Sequence, residues 1–336
     1  MRPMIFTLFI CLIMSFVTSG AVAADKAADN KTYIDPAEAA KTFDYVTQGE
    51  YVGEFGKGNG KKQKVGAQVI ALGGGKFRVV LYEGGLPGAG AKMKTKVGLD
   101  GKRDGDTVQF GDDQGKGAIK DGVISAKSNG NAFSLKKVDR KSETLGAKPP
   151  KGAVVLFDGT KDSMKNWKKG SKITAEGLLE QGTQTLAGFG DCKLHLEFRL
   201  PFKPYARGQG RGNSGMYVQS RYEVQVLDSF ALEGRNNECG VVYSVKAPDV
   251  NMCYPPLVWQ TYDVEFTAAK FDSDGKKTSN AKLTVRHNGV LIHDNIDVPK
   301  RTTASPLKEG ASDGPLYLQN HGNPVRFRNI WLVPKK

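Results

Sequence analysis

Apolar and polar residues alternate along most of this chain, and few stretches repeat with the period of a helix. The clearest run is "SGMYVQSRYEVQVLD": Met216, Val218, Tyr222, Val224 and Val226 fall on even positions, and Tyr217, Gln219, Arg221, Glu223 and Gln225 on odd ones. A two-residue period predicts strands with one buried and one polar face. "KLHLEFRL" sets Leu194, Leu196, Phe198 and Leu200 against His195, Glu197 and Arg199, and "TYDVEFTA" repeats the pattern. "AKLTVRHNGVLIHD" predicts a hairpin turning at Asn288-Gly289. Before these, residues 48–145 hold shorter alternating runs ("AQVIAL", "KFRVVLYE", "DTVQF", "GVISAK") between glycine-rich turns, which predicts a small antiparallel β domain. Residues 153–336 predict two packed antiparallel sheets, a sandwich or jelly roll. The fold class is therefore all-β, with 146–152, containing Pro149-Pro150, as a stiff linker. "DPAEAAKTFDYVTQGEY" has room for one short helix after a small, polar leader over 25–34.

The glycines ahead of the main run formally match G-x-G-x-x-G at Gly210, Gly212 and Gly215. That fingerprint needs a helix opening on its last glycine to face a pyrophosphate, and here a strand follows. A loop rim is the better reading, with Arg207 and Arg211 reaching over a groove. "GNSGM" also misses the nucleophile elbow, so Ser214 is no nucleophile candidate.

The start of the chain adds a targeting expectation. A basic Arg2, an apolar run from Ile5 to Val17 and Ala21-Val22-Ala23 read as a signal peptide over 1–23, hence an exported protein. No other segment is apolar enough to span a membrane. Export permits disulfides, and the spacing of Cys239 and Cys253 admits a loop-closing bridge. The formal charge of +14 invites a nucleic-acid reading. The lysines are scattered rather than interleaved with stacking aromatics, which argues against it. Without a C-x-x-C and with four histidines, a structural zinc site is not expected.

The odd-numbered face carries the candidate chemistry. Tyr217, Gln219, Glu223 and Gln225 share it, and Asp228 ends the run; Gln319 and His321 share parity, as do Arg326 and Arg328. Amides, carboxylates, an imidazole and guanidinium groups suit a carbohydrate groove. An ordinary solvated sheet face is the plain alternative, with Glu223 paired to a neighbouring arginine, His321 capping a turn, and Arg328 and Asn329 holding the last strand.

"GNSGMYVQSRYEVQVLDSF", "NHGNPVRFRNIWLVP" and "LFDGTKDSMKNW" resemble the 3-keto-disaccharide hydrolase family, a concanavalin-like jelly roll, over roughly Lys151 to Pro334. The resemblance implies cleavage of glycosides first oxidised at carbon 3. Such a ketone acidifies the hydrogen on carbon 2, so a base removes it, the group on carbon 1 leaves, and water adds back. The route needs a general base, an enolate stabiliser and a proton donor. Under the resemblance, Glu223 or Asp228 is the base or a ligand to a divalent cation. His321 is then an acid, a base or a ligand, and Arg207, Arg211, Asn213, Tyr217, Gln219, Gln225, Gln319 and Arg326 bind the sugar. Asn320 stands where relatives often carry an acid, which puts a metal in doubt. Two rivals remain open: a two-carboxylate glycosidase built on Glu223 and Asp228, and a lectin-like module without turnover.

Overall fold

The structure is a computed structural model describing residues 31–57, 61–112, 115–128 and 131–335. The signal peptide expected over 1–23 lies outside these residues. Two short helices come first, α1 (Pro36–Ala39) and α2 (Phe43–Thr47), capped by the side chains of Asp35 and Thr42. One helix was expected; the Thr42 hydroxyl caps a second start and breaks the run in two. The leader is also held, because Tyr33 exchanges both backbone hydrogen bonds with Phe202, at 3.0 and 2.9 Å.

Eight antiparallel strands follow: β1 (Gly49–Lys57), β2 (Lys61–Ala71), β3 (Lys76–Glu83), β4 (Val97–Asp104), β5 (Thr107–Asp112), β6 (Gly115–Lys120), β7 (Val123–Ser128) and β8 (Asn131–Val138). Each pairs with the next and β1 pairs with β8, so the sheet closes into a barrel without edges. Tyr51, Val69, Phe77, Val79, Ile119, Ile124 and Leu135 fill its interior. On one side the barrel is buried outward as well. Ile70, Val80 and Tyr82 join the core of the second unit. Beside them Gln68 donates to Glu50 at 2.9 Å and Tyr82 to Gln68 at 2.8 Å. Arg140 holds Glu50 with two bonds, at 2.6 and 2.5 Å.

The second unit is a sandwich. Its strands are β9 (Val154–Phe157), β10 (Leu179–Glu180), β11 (Thr183–Phe189), β12 (Cys192–Arg199), β13 (Ser214–Val218), β14 (Tyr222–Val226), β15 (Trp259–Thr267), β16 (Lys270–Phe271), β17 (Lys277–Ser279), β18 (Ala281–His287), β19 (Val290–Val298), β20 (Gly314–Leu318) and β21 (Arg326–Pro334). One sheet has the order β10-β21-β12-β15-β18-β19 with β9 also on β21; the other is β11-β20-β13-β14; β16 and β17 pair separately. The alternation explains the packing. Leu194, Leu196, Phe198, Tyr262, Val264 and Phe266 meet Met216, Val218, Val224, Val226 and Leu318 between the sheets. The hairpin turns as expected at Asn288 (φ 53°) and Gly289 (φ 85°), with His287 opposite Val290.

No bridge joins Cys239 to Cys253. Both thiols are free and buried, as is Cys192. Cys239 lies 3.2 Å from the Tyr262 hydroxyl, and Cys253 donates to the Leu227 and Tyr254 carbonyls. Among the described residues no helix is long and apolar enough to cross a membrane.

Candidate active site

The smaller sheet turns its odd-numbered residues away from the core. Tyr217 on β13 lies opposite Glu223 on β14 and Tyr317 on β20, and Gly215 lies opposite Gln225. Tyr217 and Tyr317 are 5.5 Å apart between ring centres. Gln319, just past β20, donates to the Tyr217 hydroxyl at 3.1 Å, which leaves the phenolic hydrogen for Glu223. Gly215 makes room for that carboxylate. A Cβ there would sit 2.3 Å from Glu223 Oε1 and 2.8 Å from the Tyr217 ring. Gln225 and Asn213 both donate to Gln209 Oε1, at 3.2 and 2.9 Å.

Electrostatics single out Glu223. Its side chain is 3% exposed. Burial disfavours the charged form and lifts its pKa to about 7, against the opposing hydrogen bond from Tyr217. Burial and the facing carboxylate push the Tyr217 phenol far up, so it stays protonated and acts only as a donor or relay. A carboxyl that titrates near neutrality suits proton transfer in both directions.

Six expected site residues are elsewhere. Asp228 is fully buried and turned to Arg211, whose Nε lies 2.6 Å from its Oδ2; its Oδ1 accepts from the Phe230 amide at 3.3 Å. Arg211 itself is buried and also donates to the Ala71 carbonyl of the barrel at 3.3 Å. A buried arginine with no route to solvent needs such a partner, so this pair is structural. Arg207 donates to the carbonyls of Pro204, Ala206 and Leu72 and so ties the loop to the barrel. Gln219 leaves the face because the β13–β14 turn is made by Gln219 and Ser220, at φ 54° and 53°. Its amide donates to the Phe189 carbonyl, and it receives Arg221 at 3.0 Å. Arg326 belongs to the other sheet, against Glu180 and Gln181. His321 is exposed in the loop after β20, with only its carbonyl engaged, by Asn323. The structure thus brings together Tyr217, Glu223, Gln225, Asn213 and Gln319.

Sequence reasoning missed Gln209 and Tyr317. Tyr317 shares parity with Gln319, which could have revealed it; Gln209 sits in a loop, where no period speaks. Among the described residues no three His, Cys, Asp or Glu side chains converge to hold a metal ion. The face offers a single carboxylate, Glu223, among amides and phenols, which is fewer charged oxygen ligands than a divalent cation usually takes. Clefts of about 720 Å³ at the barrel rim (Lys41, Phe43, Arg103) and about 780 Å³ near Lys148 and Arg328 lie away from this face.

Residues 152–333 match the family described as the 3-keto-alpha-glucoside-1,2-lyase-like domain. A solved structure of a candidate glycosyl hydrolase from Parabacteroides distasonis ATCC 8503 is 31% identical, with a TM-score of 0.51, over 55% of this chain and 85% of its own. A second candidate glycosyl hydrolase from that organism is 18% identical over 59% of this chain and 99% of its own, with a TM-score of 0.40. No curated protein matches.

Proposed function

Because the chain belongs to the 3-keto-alpha-glucoside-1,2-lyase-like domain family through residues 152–333, a family of carbohydrate-acting enzymes, we propose that it cleaves 3-keto glycosides by elimination and hydration with Glu223 as the proton-transfer group. The observation that carries this reading is one buried carboxyl near neutrality, held by a phenol on an amide-lined face. Glu223 removes the proton on carbon 2, and the electron pair moves into the carbon 3 ketone as an enolate. Its collapse expels the oxygen on carbon 1, which takes up a proton from solvent, and leaves a carbon 1–carbon 2 double bond. Water then adds its oxygen to carbon 1 and gives one proton back to solvent, while Glu223 returns its proton to carbon 2. The sum is hydrolysis, with Glu223 regenerated. Amide donors from Gln225 and Asn213 orient the sugar hydroxyls.

The two-carboxylate glycosidase loses support because Asp228 faces Arg211 rather than the groove. Oxidised and unmodified disaccharides separate the readings. Release of free sugar from the 3-keto substrate alone is expected, with the rate unchanged by chelator. Release from the unmodified sugar would replace this reading with an ordinary glycosidase, and binding without release with a lectin. The proposed setting is outside the cytoplasm, supported by the signal-like residues 1–23; a mature chain beginning at Ala24 is the result that tests it.

A further inference from the structure

Gln209 sits in the short helical turn Gly208–Gly210, on the loop that reaches Asn213 and Gln225 on the polar face. Its Oε1 accepts from both Asn213 Nδ2 (2.9 Å) and Gln225 Nε2 (3.2 Å), and its own amide donates to the Asn237 carbonyl at 2.9 Å. One acceptor on a loop therefore occupies two amide donors of the face that lies beside Glu223. The arrangement is incomplete in one respect. Asn213 is 1% exposed, yet its Oδ1 has no hydrogen-bond partner among the described residues. Buried polar atoms are seldom left so.

An amide oxygen cannot repair this, because it carries no hydrogen. A hydroxyl can. Its oxygen accepts from the Asn213 and Gln225 amides as Gln209 Oε1 does, and its hydrogen is free to reach Asn213 Oδ1. We infer that Gln209 is a placeholder for a sugar hydroxyl, and that substrate enters by displacing it. This rests on reading the face beside Glu223 as the sugar site.

The loop is built for a local swing. Its flanks are fixed to the barrel, Arg207 through the Leu72 carbonyl and Arg211 through the Ala71 carbonyl and Asp228. Between them Gly208 adopts φ 49°, and neither it nor Gly210 has an atom within 4 Å of where a Cβ would be. Two bonds tether the moving part: Lys203 donates to the Gly210 carbonyl at 2.8 Å, exposed at that contact, and the Gln209 amide to the Asn237 carbonyl. The barrel, which lies outside the residues shared with the family, thus sets how far the plug can move.

Two variants with opposite signs test the placeholder. Gln209→Ala removes the competitor, and KM for a 3-keto disaccharide should fall about fivefold. Gln209→Glu keeps the acceptor oxygen and adds charge, which strengthens its bonds to the amides, so KM should rise. A merely structural residue would move both variants the same way. Unchanged or raised KM in Gln209→Ala overturns the inference. Calorimetric titration with glucose gives a second readout independent of turnover: Gln209→Ala should bind it about fivefold more tightly than the natural chain. Should the natural chain leave the 3-keto disaccharide intact, the reaction proposed above fails, and the glucose titration alone decides on Gln209. Absence of glucose binding in both proteins sinks the placeholder.

Discussion

The sandwich buries a carboxylate on the outward face of each sheet, and the two are treated in opposite ways. On the larger sheet Glu197 accepts from the Gly146 amide (2.6 Å), Asn329 Nδ2 (3.0 Å) and Arg328 Nε (2.7 Å), with His195 beside it. Burial opposes its charge, but the neighbouring His195 and the hydrogen bonds from Asn329, Gly146 and Arg328 win and hold it at about 2. His195 is in turn held by Asp263 at 2.6 Å and stacked on Trp331, and residues of the linker close over the group. On the smaller sheet Glu223 has a single phenol, and burial wins, at about 7. Equal burial thus gives a fixed anion in one place and a titrating acid in the other. The difference lies in the number of donors, which is what separates a clamp from a reacting group.

Exchanging each acid for its amide should break the comparison most sharply. Glu223→Gln should lower turnover of a 3-keto disaccharide by roughly 10²–10⁴-fold, with the circular dichroism spectrum retained. Turnover within threefold of the natural chain would move Glu223 into the structural class. Arg211→Ala strands Asp228 as an unpaired buried charge and should cost roughly 3–5 kcal/mol in urea unfolding; a loss under 1 kcal/mol would deny the pair its role. Gly215→Ala tests the space beneath the acid. The new methyl meets Glu223 Oε1 and the Tyr217 ring, so activity should drop on the order of tenfold and stability fall by about 1–3 kcal/mol.

Acidity sharpens the contrast further. The folded value of Glu197 lies below its ordinary 4.5, so its stabilisation is present in full above that pH and is lost as pH falls toward about 2. Acid unfolding of Glu197→Gln should therefore be less steep across that window. Glu223 moves the other way. As a base it works deprotonated, so kcat/KM should rise with pH through about 7. Tyr217→Phe removes the bond that lowers the Glu223 pKa and should shift the inflection upward; a downward shift would contradict the assigned donor.

Much of this architecture is legible in the alternation. The even residues from Met216 to Val226 do face the core, and the Asn288-Gly289 hairpin forms where its turn chemistry places it. Parity also put Tyr217, Glu223, Gln225 and Gln319 on one polar face. It misled at the ends of strands. Gln219 keeps its odd number, but the turn's left-handed backbone rotates it out of the face. Arg211 looks like a groove residue until the barrel is docked, because it is held by Ala71 and Gln48, far away in the chain, and Asp228 follows it as its partner. Parity likewise cannot register a bulge. Asn329, at φ 45°, slips the register of β21 and turns both Arg328 and Asn329 toward Glu197. Barrel closure was not visible either, since pairing of β1 with β8 is a long-range event that no local period encodes.

The position of β21 also bears on the order in which the chain folds. The barrel joins neighbours in sequence and needs one long closure, so it can form while the rest is still being made. The larger sheet cannot. β21 pairs with β12 on one side and with β9 and β10 on the other, so these strands await the last nine residues of the sheet before they share a neighbour. During synthesis the N-terminal unit would be native while its companion still shows unpaired strand edges, the state most exposed to aggregation. Removing residues 326–334 should therefore yield a protease-resistant barrel carrying an unfolded, aggregation-prone tail rather than a weakened enzyme, a pattern that limited proteolysis would reveal.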